Sequence, residues 1–499
     1  MPAGMPAFTE LQRAQLRDRG IAEEEALRQL ALLAAPLPFV ELVRPCRLED
    51  GIETVPEDRQ EELILLHEDA AKQGRTMKFV PASGAATRMF QDVLAGRGLD
   101  ALVDAIERFA FVDDLRAEIA FRGYDLDVLR NAGSATEIVE ALTGADGLGY
   151  ATIPKGLIPF HRYPEGSRTA FEEQLVEAAA TVRDAHGVCR VRVTVSPEHL
   201  HAFRLVANAV VRGRERIAHA RFDLEFSVQK GMTDTLAATP EGKPFAGEDG
   251  RLVLRPAGHG ALLENLADLG GDIVFVKNID NVQTDASRGD TIRWKKILGG
   301  RLVALQRSVF LHVARLRSTP PNPEFVRAAS VFAAERLGCD VPPVSQPLEE
   351  RAKALLTIFE RPVRVAGVVR NTGEPGGGPF WVRGRDGRIT RQIVEAAQVD
   401  PGSEGQREIL HGATHFNPVD LVCGVRDVEG DPFDLYAFVD PGAVIVARKS
   451  HEGRDLLALE RPGLWNGAMA GWITVFVEVP ISTFTPVKTV MDLLRPEHR

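Results

Sequence analysis

The stretch of the chain most suggestive of chemistry is Pro256-Ala-Gly-His-Gly260. It is followed, after a short helical run, by Ile273-Val-Phe-Val-Lys-Asn-Ile-Asp-Asn281. Glycines at 258 and 260 let backbone approach a flat base or a phosphate with no Cβ in the way. The apolar run 273–277 reads as a buried strand that delivers Asp280 to the carboxyl edge of a sheet, where open α/β sheets bind ligands. A glycine-framed loop, a helix and a strand ending in an acid between amides suit a nucleotide and a metal. Earlier, the apolar 77–81 runs into the small-residue turn Ala82-Ser-Gly-Ala-Ala86, with a helix expected from Thr87. That order sets phosphates against the amides of a helix N-terminus.

Four segments together resemble the uridine-diphosphate-glucose pyrophosphorylase group of nucleotidyltransferases. Pro81-Ala-Ser-Gly-Ala-Ala-Thr-Arg-Met89 resembles the LAGGxGTRL signature, with Gly84, Thr87 and Arg88 matching and Ser83 and Ala86 standing where the family has glycine. The resemblance implies that Ala82, Ser83 and Gly84 lie against the nucleotide and that Arg88 meets the pyrophosphate. The two substitutes are expected to restrict φ and narrow the room beside the nucleotide. Ile153-Pro-Lys-Gly-Leu-Ile-Pro-Phe160 is similar to the PKxLLPV element, which implies a phosphate contact for Lys155. Gly258, His259 and Gly260 resemble the uridine-binding loop. Asn278 to Asn281 resembles the metal-site strand end, with Mg²⁺ on Asp280 and the sugar near Asn278.

Gln229 ends Phe226-Ser-Val-Gln229, in the place of an FxxQ-like strand end. It would read a uracil edge, because an amide both donates and accepts. Thr483-Phe-Thr-Pro-Val-Lys-Thr-Val-Met-Asp-Leu-Leu494 resembles the RFLPVKTTSDLL segment and implies phosphate contacts for Lys488. More loosely, Val368 to Gly373 and Gln392 to Glu395 parallel a strand pair of the family, which would make Glu395 a sugar-hydroxyl acceptor. The implied activity joins a nucleoside triphosphate, UTP favoured, to a sugar 1-phosphate and releases pyrophosphate, with Arg88, Lys155 and Lys488 at the reacting phosphates and Mg²⁺ as cofactor. The alternative is a catalytically decayed copy that only binds a nucleotide sugar or regulates. Retention of Arg88, Lys155, Asp280 and Lys488 favours the enzyme, since a binder need not keep all four charges.

Strands expected at 77–81, 190–195, 222–228 and 273–277 alternate with helices, which argues for a parallel, doubly wound sheet. The fold class expected is α/β: a mixed nucleotidyltransferase sheet of the Rossmann-like kind, with a helical N-terminal cap and helical insertions. The expected division is a helical region 1–75, a nucleotide-binding core 76–290 with a helical insertion 90–152, a helical segment 291–362, and a sugar-phosphate-binding part 363–499. In that last part strands are expected at 363–369, 380–382, 435–439, 444–447 and 473–479. The enzymes it resembles continue into a β-helix past the PVKT…DLL element, and none is expected here. Glu374-Pro-Gly-Gly-Gly-Pro379 reads as a loop or hairpin, since no helix pattern follows it.

Other features narrow the class. A length of 499 residues is ordinarily two or three lobes, and 44% hydrophobic residues describe a globular chain. A net charge of −10 argues against general nucleic-acid affinity. Cys46, Cys189, Cys339 and Cys423 form no CxxC pair and read as free thiols. No apolar run approaches a membrane span and no leader pattern opens the chain, so a cytoplasmic protein is expected. His411 and His415 have helical metal-ligand spacing, but Gly412 and Pro418 make a helix poor there. Asp125-Leu-Asp127 matches the DxD of glycosyltransferases but lies in the inserted helical region. Trp465 and Asn466 could contact a sugar or fill a core.

Overall fold

The computed structural model describes residues 8–318, 320–373 and 377–499. Contacts divide the chain into two units, each assembled from three separated stretches.

One unit comprises Gln60–Val228, Ile273–Gly300 and Val479–Arg499. Four of its strands are parallel, in the order Ile273–Lys277, Thr76–Pro81, Val188–Val195, Arg221–Val228, with Phe275 opposite Lys78 and Val80 opposite Val193, and Pro159–Tyr163 pairs antiparallel with Gly166–Thr169. The first two strands are buried on both faces, so they read as continuous apolar runs without alternation. Helix Ala170–Thr181 opens with a capping box between Thr169 and Glu172, and helix Leu200–Ala218 follows the turn Pro197–His199. Five short helices lie between the first strand of the chain's parallel set and residue 144: Gln91–Leu94, Leu99–Asp104, Val112–Phe121, Leu126–Asn131 and Ala135–Thr143. Asp125 is the N-cap of the fourth, accepting from the amides of Asp127 and Val128, and Asp127 pairs with Arg116. That capping role accounts for the DxD string.

Two of the apolar strands carry a buried lysine. Lys78 donates to Glu177 at 2.7 Å, Lys277 to its other oxygen at 2.7 Å, and Lys295 of helix Gly289–Leu316 stands 3.4 Å away. Burial pushes Lys78 down to about 7. Burial also works to raise Glu177, but the three lysines outweigh it and hold the carboxyl well below its ordinary range.

The other unit runs through Arg59 and adds Gln229–Asp272 and Arg301–Glu478. Its strands Arg47–Leu48, Gly51–Glu53, Ile473–Glu478, Val363–Arg370 and Asp420–Gly424 lie side by side. Val363–Arg370 is parallel to Ile473–Glu478 and antiparallel to Asp420–Gly424. A three-stranded sheet (Glu41–Pro45, Gly377–Arg383, Ile389–Glu395) and a four-stranded one (Leu254–Arg255, Thr235–Ala238, Arg454–Glu460, Ile445–His451) complete it. Helices Glu10–Arg19 and Glu23–Ala34 bury Leu16, Leu30 and Leu33 against Leu236 and Leu459.

Three expectations are corrected. Residues 8–75 are not wholly helical: 41–53 hold three strands, because Leu42 packs with Phe380 and Val382 of a neighbouring strand. The expected helix from Thr87 is a single turn, Ala86–Arg88, with Gly96 and Gly98 at positive φ soon after the next short helix. Residues 435–439 form a turn, Leu435–Phe438, capped by Asp434. Residues 374–376 of the glycine-rich loop lie outside the described residues.

Glu177→Gln removes the carboxylate from among buried ammonium groups. The expected loss is about 3–5 kcal/mol, the scale for breaking a buried pair on one side, measured by urea unfolding at neutral pH. A loss below about 1 kcal/mol would mean that the lysines are neutral there, since breaking a neutral hydrogen bond costs only about that much.

Candidate active site

Loops leave the carboxyl ends of the parallel strands, and hydrogen bonds knit them together. Ala82 N–H donates to the Thr194 carbonyl at 2.8 Å, and Ser196 Oγ donates to the Ser83 carbonyl at 2.8 Å. Ala85 bridges Pro154, Ala86 N–H donates to the Ile153 carbonyl, and Thr87 Oγ1 donates to the Ala151 carbonyl. Gly84 is exposed, and a Cβ there would meet nothing within 4 Å, so packing does not demand this glycine. Ala86 is fully buried. Its methyl points into the protein, so the change from the family's glycine does not crowd the open side of the loop. Arg88 is exposed on the same turn.

Lys155 lies one residue beyond that bridge. Its Nζ donates to Asp280 Oδ2 at 2.9 Å and to the Val487 carbonyl at 2.6 Å. Gly156 permits the approach, since a Cβ there would sit 2.9 Å from the Phe203 ring and 3.1 Å from Ile279. Gln174, on helix Ala170–Thr181, donates its amide to the carbonyls of Asn278 and Ile279 and so holds the turn that carries Asp280. Asn281 Oδ1 accepts from Thr485 N–H, and Asn281 bridges Pro486. Asp492 accepts from the amides of Lys488 and Thr489, and Val490 N–H donates to the Met89 carbonyl. Arg88, Lys155, Asp280 and Lys488 therefore lie on segments joined in one hydrogen-bonded circuit. Gln174 and Asp492 escaped the sequence reading, although Thr489-x-x-Asp492 is a legible capping box.

Among the described residues no group of three or more His, Cys, Asp or Glu side chains is placed to hold a metal. Asp280 Oδ2 faces Lys155, and Oδ1 has no donor among the described residues. A single carboxylate fits Mg²⁺, which takes one or two carboxylates and completes its shell with water and substrate phosphate. His411 ends helix Glu404–His411, whereas His415 is a buried strand residue bonded to Thr414 and Glu478.

The segment bearing Lys488 is anchored at its end by a buried relay. Glu173 Oε1 accepts from His161 Nδ1 at 2.9 Å, and His161 Nε2 lies 2.8 Å from His498 Nδ1. Tyr163 donates to the same carboxylate, and Arg288 pairs with its other oxygen. Burial, and then His161, push His498 down to about 3.

In the other unit the glycine-framed loop has a different set of partners. A Cβ on Gly260 would sit 2.4 Å from the Pro462 carbonyl, and Gly258 has φ +70 beside Glu460. Gly260 thus admits the 461–462 backbone and Gly258 the Glu460 side chain. His259 Nδ1 accepts from Leu464 N–H at 3.0 Å, which leaves the proton on Nε2, 3.2 Å from Glu395 Oε1. The ring stacks on Trp465 with centroids 3.8 Å apart. Burial works to raise Glu395, but hydrogen bonds from His259 and Trp465 outweigh it and hold the carboxyl low. Asn466 donates to Gln398 and Glu395, while its Oδ1 is buried without a partner. Buried Arg364 donates to the Trp465 carbonyl. Gln229 follows strand Arg221–Val228, and its Nε2 is a buried donor without a partner among the described residues.

Residues 9–499 match the family described as Domain of unknown function (DUF4301). The chain belongs to that family. No curated protein matches it. Among solved structures, the uridine diphosphate N-acetylglucosamine pyrophosphorylase from Trypanosoma brucei is similar, with 12% identity and a TM-score of 0.50, over 98% of this chain and 79% of that one. The UDP-glucose pyrophosphorylase from Leishmania major is similar at 14% identity and a TM-score of 0.47, over 98% and 79%. The DUF4301 chain thus has a mixed α/β fold of the UDP-sugar pyrophosphorylase kind.

Two outcomes follow from this geometry. His498 binds its proton at about 3 in the folded chain against an ordinary 6.5. Between those values the unfolded chain holds the proton and the folded chain does not, so stability falls as pH drops below 6.5, by at most about 1.4 kcal/mol per pH unit. His498→Phe should remove that slope, read from urea unfolding of both proteins across the window. In Gly463→Ala the new Cβ would sit 2.0 Å from Asn466 Oδ1 and 2.2 Å from His259 Cε1. Overpacking of this kind costs about 1–3 kcal/mol, and NMR should show the His259 Nε2–H leaving Glu395.

Proposed function

We propose that this DUF4301 chain is a sugar-1-phosphate nucleotidyltransferase that uses a nucleoside triphosphate, UTP favoured, and releases pyrophosphate. The observation that carries the reading is the circuit joining the 82–89 loop, Lys155, Asp280 and the Lys488 segment within one unit. In the reaction a phosphate oxygen of the sugar 1-phosphate forms a bond to the α-phosphorus of the triphosphate. The bond from that phosphorus to the bridging oxygen breaks, and pyrophosphate carries the electron pair away.

Little covalent help is needed for this exchange; positioning and charge neutralisation do the work. Ala82, Ser83 and Gly84 offer backbone against the nucleotide, with open space above Gly84. Arg88 meets the departing pyrophosphate. Lys155, held by Asp280 and Val487, neutralises the reacting phosphate, and Lys488 binds the sugar phosphate or nucleotide. Bound Mg²⁺ would supply Lewis-acid stabilisation of charge on the phosphate oxygens, with Asp280 as its protein ligand. Asn278, on the turn that carries Asp280, stands on the sugar side; in the other unit Gly258 and Gly260 pack against residues 460–462, and His259 is engaged by Leu464, Glu395 and Trp465. Glu395 orients His259, which fixes the tautomer the loop presents.

The decayed-binder alternative draws on the Lys155–Asp280 pair, which is already satisfied without substrate. Pyrophosphate release from UTP with a panel of sugar 1-phosphates and Mg²⁺ separates the two. Asp280→Asn should lower turnover at least ~10²-fold, the scale of lost transition-state charge stabilisation. A carboxylate that serves only as a structural cap would instead cost about 1 kcal/mol of stability and leave turnover alone. Binding of UTP by the unaltered chain with no release for any sugar phosphate would favour the binder and end the enzyme reading.

A further inference from the structure

The parallel sheet that presents the candidate active site at its carboxyl edge has an amino edge of opposite character. Segments 71–72, 183–187 and 219–221 each stand just before a strand of that sheet, and they line two adjoining cavities of about 470 and 920 Å³. The cavities share Gly187 and His219. Either volume is in the range of small-molecule sites, roughly 300–1,000 Å³.

Acidic groups in these walls are already engaged. Glu68 pairs with Lys296 at 2.7 Å. Asp184 pairs with Arg190 at 3.1 Å and accepts from the amides of His186 and Val188. Glu215 accepts from Phe222 N–H. Lys72, Arg183, Arg212, Arg216 and Arg221 line the same cavities, and none has a carboxylate within 4.0 Å among the described residues. Elsewhere in this unit Arg116, Arg122, Arg192 and Arg214 each have one. Arg88, Arg108 and Arg204 of the same unit also lack one among the described residues, so what sets the amino edge apart is that five such cations line two adjoining cavities. The dipole of helix Leu200–Ala218 favours a cation in its last turn and so explains Arg216. Arg183 donates to the Ala218 carbonyl at the end of that helix at 3.0 Å, and Lys72 stands in the last turn of helix Glu57–Lys72, whereas Arg221 opens a strand and has no such account. Arg212 and Arg216 are also four apart on one helix, a like-charged spacing that weakens the helix.

We propose that this amino edge is a binding site for a small polyanion with two or more linked phosphates. Cations line both cavities, which share a wall at Gly187 and His219, and a linear di- or triphosphate suits such an adjoining pair better than a single phosphate. The ligand neutralises charges that the protein leaves unpaired, so its affinity falls with added salt. The site is separate from the circuit around Lys155 and stands whether or not the chain is a nucleotidyltransferase.

Calorimetric titration of the full chain with inorganic tripolyphosphate at low salt tests this. Saturable binding is expected that weakens at least ~tenfold in Arg212→Gln/Arg216→Gln. Lys72→Ala/Arg221→Ala, on different segments, gives the same weakening if the first variant is unstable. Lys488→Ala keeps the binding. UTP competing at the same site at similar affinity identifies the phosphates as the recognised group, and UTP binding at least ~tenfold tighter identifies a nucleotide as their source. Binding unaltered in both double variants, loss of all binding in Lys488→Ala, or no saturation at millimolar tripolyphosphate would overturn the site. Displacement by a single-stranded oligonucleotide with higher affinity would overturn the small-polyanion assignment.

Discussion

One ammonium group, Lys155 Nζ, is shared between the Asp280 carboxylate and the Val487 carbonyl. Those partners are 125 and 332 residues away in the chain. The lysine is only partly exposed, and so is the aspartate, at 16% and 20% of their side chains. In so little water a charge-assisted hydrogen bond is stronger than at the surface. The arrangement of the candidate site follows from it: the Ala85–Pro154 bridge sets the small-residue loop on one side, and Asn281 and Asp492 set the C-terminal segment on the other.

The same unit puts charge in places where most folds put hydrocarbon. Glu177 with its lysines lies beneath the two central strands, and Glu173 with His161, Tyr163 and Arg288 lies beneath the C-terminal turn. A buried ion pair adds little net stability over a hydrophobic one, yet removing one member is costly. Such groups therefore tolerate few alternative packings. In this chain they hold strand Ile273–Lys277 and the last residues of the chain, the two segments that carry Asp280 and Lys488.

In the other unit a loop motif and a distant string complete each other. The Gly-His-Gly loop was legible as a ligand loop, but Gly260 faces the backbone of 461–462, Gly258 the Glu460 side chain, and the histidine Glu395 and Trp465. The string around Trp465 and Asn466, for which sequence offered no partner, supplies the stacked ring and a buried unpaired acceptor. Glycine at a motif position can serve protein backbone as well as ligand, and only the contacts distinguish the two.

Local pattern alone marked strands at 77–81, 190–195, 222–228 and 273–277, because 273–277 is a dense apolar run and 190–195 and 222–228 alternate apolar with polar residues, with helices between them. It also singled out the 82–86 turn and Asp280, whereas Lys155 and Lys488 were picked out by the resemblance of their segments to the UDP-glucose pyrophosphorylase group. Tertiary structure alone decided that Lys155 closes on Asp280, that Ala86 turns inward, and that 41–53 are strands. It also decided that buried lysines meet on Glu177 and that unpaired cations gather at the amino edge. These depend on neighbours tens to hundreds of residues apart, where periodicity carries no information. A lysine inside an apolar strand, such as Lys78, looks like an interruption until the carboxylate opposite it is seen.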